Sequence, residues 1–284
     1  FFWTPEDDLD RIANFLISIG KTPAELFKEL KSYGNKKDEF VIITIDLEFA
    51  KRGKVKIPYG QQIQDVCDLI DSGEPIKLFI HIDPRREDYM HLIDKYESYI
   101  SGIKMYNYMG YFPYDIRLQP LWKRCEVKNW PVVFHCSRGN INYYGGRDID
   151  KILKRSLFPL LNTGKSNREK SMNFSNPAGM IKVAKDNPNV NFIIEHLGGK
   201  EDAEAYWRGE ENTWTGEIVE SCLALKNLYI GTSFTSYTKP MYYLIRYIYS
   251  IIPDKIIWGT DFNVNKSVTD MKSYIMLKTE IGIQ

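Results

Sequence analysis

The chain has 284 residues, enough for one large α/β barrel or two ordinary domains, and its 43% hydrophobic and 26% charged residues are the balance of a globular protein. A formal net charge of +1 gives no field for nucleic acid or an anionic membrane, and no apolar run approaches the roughly 20 residues of a membrane span. The cysteines Cys67, Cys125, Cys136 and Cys222 include no CxxC pair, so neither a zinc knuckle nor a disulfide framework is expected, and a reducing, cytoplasmic setting is the simpler reading.

The opening Phe1-Phe2-Trp3 is not an initiator methionine and is too short for the apolar region of a signal peptide. Thr4 and Pro5 then read as a helix N-cap and first helical position. The expectation is a fragment whose own N-terminus lies upstream. Seven short apolar runs follow: FVIITIDLE (40–48), IKLFIHID (76–83), GIKMY (102–106), PVVFH (131–135), VNFIIEH (190–196), LYIGTS (228–233) and KIIWGTD (255–261). Their near-continuous apolarity suits parallel strands covered on both faces. Helical patterns lie between them: QQIQDVCDLI, REDYMHLIDKYESYI, LQPLWKRCEVKN, AGMIKVAKDN capped by Asn176-Pro177, GEIVESCLALK and PMYYLIRYIYSII, with a last helix at about 267–280.

Strand starts near 40, 76, 103, 131, 190, 228 and 256 recur at the spacing of β–α units, except across about 137–175, which reads as a long loop insertion rich in Gly, Asn, Ser and charge. The reading is one domain over 1–284, a (β/α)8 TIM barrel whose first strand is missing from the chain. A doubly wound open sheet is the alternative. The absence of GxGxxG after an early strand weakens its dinucleotide-binding form.

A barrel of this kind places its site at the C-terminal strand ends. Reactive residues fall there: His135, His196 and Asp261 end three runs, Asp83 ends another, and Asp46 and Glu48 close the first. Lys104 and Tyr106, two apart, share a strand face. Together with HIDPR, LQPLWKRCEVKNWPVVFHC, NPAGMIKVAKDNPNVNFIIEHLGG and DKIIWGTDF, this order of motifs resembles the amidohydrolase superfamily. The closest likeness is to the amidohydrolase-related branch that includes 2-amino-3-carboxymuconate-semialdehyde decarboxylase. The resemblance covers roughly 40–264; Tyr106 stands where that family commonly has histidine.

The resemblance implies a divalent metal, usually zinc, held by His135 and Asp261, with His196 as a further ligand or as acid/base beside Asp261. Imidazole and carboxylate bind zinc at about 2.0–2.2 Å, and a position left open takes water, whose pKa falls toward roughly 7. The family's first strand normally adds an HxH pair. No HxH occurs among His81, His91, His135 and His196, so the pair is expected upstream of Phe1.

Other residues carry bland readings beside sharp ones. His81 is read as structural, and His91 as an outer helix residue. Lys104 is either a carboxylated bridging lysine or, the preferred reading, a barrel-interior lysine paired with a carboxylate. Arg138 is either a clamp for a substrate carboxylate or a solvated loop arginine. Tyr106, Tyr108, Tyr111, Tyr143, Tyr144 and Trp214 are candidates for an aromatic lining. Cys136 is excluded as a partner of His135, because adjacent strand residues face opposite ways. Gly164-Lys165-Ser166 lacks the glycine at 159 that a P-loop needs, and no GxSxG is present.

The functional expectation is a metal-dependent hydrolase of a small carbonyl compound (amide, ester or lactone), with Lys104, Tyr106 and Arg138 binding substrate. A non-oxidative decarboxylase on the same scaffold and a metal-free binding relative are the alternatives; a two-metal phosphoesterase or nuclease ranks below them. The expected partner is a small-molecule substrate, with no nucleic acid and no membrane. The sequence leaves a homo-oligomer open.

Overall fold

Each of the seven apolar runs contains a strand, and every strand pairs with its neighbours in sequence. The computed structural model describes residues 17, 21–138, 144–161, 166–233 and 239–262. Within them the order is α1 (Pro23–Lys31), β1 (Phe40–Ile43), α2 (Tyr59–Asp71), β2 (Ile76–His81), α3 (Tyr89–Tyr96), β3 (Ile100–Met105), α4 (Gln119–Lys128) and β4 (Val132–Ser137). Then come α5 (Ile149–Leu153), α6 (Asn167–Ser171), α7 (Pro177–Asp186), β5 (Phe192–Gly198), α8 (Lys200–Trp207), α9 (Trp214–Ala224), β6 (Leu228–Gly231), α10 (Lys239–Ile251) and β7 (Ile256–Ile257).

The sheet runs β1-β2-β3-β4-β5-β6-β7, and all its pairs are parallel. Helices connect the parallel strands, as parallel connections require. The result is a curled (β/α)8-type sheet, of which the described residues supply seven strands. The helix signal at Thr4-Pro5 and the helix at about 267–280 lie outside the described residues.

The strand period of two divides the side chains between two cores. Leu78, Ile80, Ile103, Met105, Val132, Phe134, Phe192, Ile194, Leu228 and Ile230 face the helices in the main core. Phe79, Val133 and Ile193, with Tyr229 against them, form a separate inner cluster. Gly102 belongs to this layer, because a Cβ there would stand 2.4 Å from the Phe79 ring. Two residues further along the same strands, the inner face turns polar: His81 pairs in register with Lys104, and His135 with Glu195, which pairs with Gly231. The apolar layer is therefore the floor on which a polar layer rests at the C-terminal strand ends.

Caps follow the sequence signals. Asn176 accepts from the Ala178 N–H with Pro177 in the first turn, as expected. Thr22 and Glu25 form a capping box on α1, and neither α1 nor α8 is among the helices expected from the sequence. The stretch expected as one long loop after β4 is partly helical. Ser166 and Glu169 box the start of α6, while Ile149 and Leu153 of α5 pack with Phe112, Tyr144 and Phe174. Among the described residues no helix is long and apolar enough to cross a membrane. All four cysteines are free and buried.

Candidate functional site

Two imidazoles 61 positions apart meet at the C-terminal ends of β4 and β5, with His196 Nε2 3.0 Å from His135 Nδ1. Strand alternation alone does not bring them together, because it puts Glu195, not His196, on the inner face beside His135. The register shows how the conflict is resolved: Glu195 faces His135, yet Gly198 faces Ser137, so β5 carries one extra residue. At that bulge His196 (φ 69°) and Leu197 (φ 49°) are left-handed. A left-handed backbone is unfavourable for any residue with a Cβ and marks an outlier for one as bulky as leucine. Asp261 is also left-handed, at φ 55°. Such strain costs on the order of 1–3 kcal/mol per residue and persists where the surrounding structure enforces it.

The hydrogen bonds fix the tautomers. His196 Nδ1 is 2.9 Å from the Ser233 carbonyl, which only accepts, so Nδ1 carries the proton. Nε2 is then an acceptor, and His135 Nδ1–H donates to it. Burial, with the charges of His196 and Lys104, holds the His135 imidazolium well below the usual histidine range, so His135 is neutral. Burial raises the Asp261 carboxyl above the usual range, against the opposing pull of His196 and Lys104.

Glu195 is the member that the strand-end reading missed. Its carboxylate lies over Gly231, where a Cβ would stand 2.1 Å from the carboxyl carbon. The Ser233 hydroxyl donates to it. Ser233 thus contacts both Glu195 and His196, one through its hydroxyl and the other through its carbonyl. The sequence carries no signal for it, because the register of β4 and β5 decides which residue faces His135.

Lys104 is buried in the same polar layer, and burial lowers its pKa against the pull of Glu195 and Asp261. Among the described residues no carboxylate lies within ion-pair distance of it, so its attraction to those two acts across a wider gap. The Tyr106 and Tyr108 rings pack edge-on to His135, with centroids 4.6 and 5.2 Å away. Arg138 pairs with Asp202, its Nε 2.9 Å away, and its guanidinium lies 4.6 Å over the Trp214 ring. Cys136 faces away from the pair and donates to the Ser175 carbonyl, as alternation requires.

His81 is held in a network of its own. Nδ1 accepts from the Asp46 N–H at 3.1 Å, and Nε2 lies 3.1 Å from the Tyr111 hydroxyl. Asp83 forms a two-point pair with Arg85 at its Nε and Nη2. Asp46 and Glu48 both engage Arg86. These carboxylates lie past the strand ends but are committed to arginines. Tyr144 packs near Arg85 and bonds Asp148; His91 is exposed on α3; Tyr143 lies outside the described residues.

Among the described residues no three His, Cys, Asp or Glu side chains converge as a metal site. Two nitrogen ligands of one tetrahedral zinc stand about 3.3 Å apart. The observed 3.0 Å is near that spacing, but His135 Nδ1 would have to give up its proton before the two nitrogens could share an ion. Among the described residues no third ligand completes the set.

The family model for amidohydrolase matches residues 96–278. The chain belongs to the amidohydrolase family. The matched residues include β4, β5 and the Asp261 position. Among solved structures, an uncharacterised TIM-barrel protein from Bordetella bronchiseptica is similar at 15% identity and a TM-score of 0.58, over 90% of this chain and 75% of that one. An amidohydrolase from Burkholderia multivorans with bound HEPES is similar at 9% identity and 0.55, over 92% and 82%. A Staphylococcus aureus protein assigned as an amidohydrolase follows at 14% and 0.52, over 91% and 86%. At these identities the likenesses establish the fold alone. No curated protein matches the sequence.

Proposed function

We propose that this amidohydrolase-family chain hydrolyses a small carbonyl compound (an amide, ester or lactone) at a centre built from His135, His196 and Asp261. The observation that carries the reading is the His135–His196 contact, held at the C-terminal strand ends by a left-handed bulge. In this reading the pair moves a proton at the facing nitrogens, His135 Nδ1 and His196 Nε2. The Ser233 carbonyl holds the second ring in one tautomer. Asp261 is the acid/base carboxyl beside His196. Tyr106 forms a wall against His135, Lys104 supplies positive charge to the polar layer, and Arg138 stands at its rim.

A divalent metal, zinc in this reading, would supply an activated water when bound. His135, His196 and Asp261 are the candidate ligands on this chain, and elemental analysis of purified protein tests them. The expected result is bound metal that falls in His135→Ala and Asp261→Ala. Unchanged metal in both overturns the ligand assignment. The function itself is tested with a panel of lactones, esters and amides, with carbon dioxide measured in parallel. Turnover lost in His135→Ala supports the reading. Carbon dioxide release without hydrolysis replaces it with decarboxylation, and turnover unaffected by His135→Ala removes the centre from the reaction.

A further inference from the structure

Among the described residues five buried side-chain atoms lack a hydrogen-bond partner: Arg85 Nη1, both polar atoms of Asn107, the Tyr108 hydroxyl and Arg138 Nε. All lie just beyond the C-terminal ends of β2, β3 and β4. Three have local explanations. Arg85 Nη1 belongs to a guanidinium boxed by the Phe49, Tyr111 and Tyr144 rings at 5.4–5.7 Å. Arg138 Nε is 2.9 Å from Asp202, off the hydrogen-bond direction. The Tyr108 hydroxyl acts on the Ser175 hydroxyl without reaching hydrogen-bond geometry.

Asn107 has no such account. The residue is 0% exposed, and neither its amide oxygen nor its amide nitrogen is engaged. Its backbone is committed, because its carbonyl accepts from the Gly110 N–H at 2.9 Å and fixes the short turn Asn107–Met109. That turn packs on β4 and on the turn Met172–Ser175. The Ser175 hydroxyl in turn donates to the His135 carbonyl at 3.3 Å. The residues on either side, Tyr106 and Tyr108, both pack on the His135 ring. A buried amide offers two donor hydrogens and two acceptor lone pairs, and leaving them unmet is costly. Leucine has nearly the same shape and none of that cost.

We propose that the Asn107 amide binds a small polar group presenting both a donor and an acceptor, where the Asn107–Met109 turn packs on β4. Water and the amide edge of a substrate share this chemistry. The site stands whether or not the chain is a hydrolase, because it rests on Asn107 and its neighbours alone.

The test compares thermal unfolding of wild type and Asn107→Leu, with and without acetamide as the probe. A midpoint lowered by several degrees in Asn107→Leu without probe supports a resident water. A midpoint unchanged or raised in the variant, with an acetamide-induced rise seen only in wild type, supports a group carried by substrate. A raised midpoint in the variant with no acetamide effect on wild type overturns the proposal. A high-resolution crystal structure of wild type serves if Asn107→Leu does not fold. Bonded density at both amide atoms supports the site, and an amide packed only against carbon overturns it.

Discussion

His81 makes the stability of this protein depend on pH in a calculable way. Burial pushes its pKa down to about 3, assisted by the positive charges of Lys104 and Arg85 and opposed by Asp46. The hydrogen bonds agree with a neutral ring, because a proton on Nδ1 would face the Asp46 N–H, donor against donor. In the unfolded chain the same imidazole titrates near 6.5. Between those two values the unfolded state binds the extra proton, so stability falls as pH falls through this window and is fully present above about pH 7. Going from pH 7.5 to 5.0, the unfolded His81 becomes almost wholly protonated while the folded one stays neutral. The loss is about 2 kcal/mol, because the folded pKa of about 3 lies well below 5. Urea unfolding of wild type and His81→Asn across this range isolates the effect, since carboxylate titrations common to both proteins cancel in the difference. The wild-type advantage should shrink by about 2 kcal/mol, roughly thirtyfold in the folding equilibrium, on reaching pH 5.0. Parallel stability curves would show that His81 is not a buried neutral imidazole.

Other consequences are equally direct. Gly231→Ala puts a Cβ into the Glu195 carboxylate, 2.1 Å from its carboxyl carbon, and so should break the bond from Ser233 and lower stability by about 1–3 kcal/mol in chemical denaturation. Arg85→Met strips the partner from Asp83, whose side chain is 0% exposed, and should cost about 3–5 kcal/mol. The double variant Asp83→Asn/Arg85→Met should recover a large part of that loss, and no recovery would mean that packing rather than charge sets the cost. Ser233→Ala removes the hydroxyl bond to Glu195 but keeps the carbonyl that orients His196, so turnover in the substrate panel should fall less than in His135→Ala.

How far this molecule could be read without coordinates depended on which physical rule was in force. The apolar runs marked the seven strands of the described residues and their parallel sense, because a strand covered on both faces needs continuous apolar side chains and its connections need helices, while the strand order left a doubly wound sheet open. The Asn176-Pro177 cap was legible for the same local reason. His135, His196 and Asp261 could be proposed from their places at run ends and from the family likeness. Their meeting could not. Alternation sends His196 away from His135, and only an extra residue in β5, seen in the pairing with β4, turns it back. Glu195 over Gly231 and the unpartnered amide of Asn107 were silent for the same reason: each depends on what lies across the barrel, and a linear pattern records only what lies along the strand.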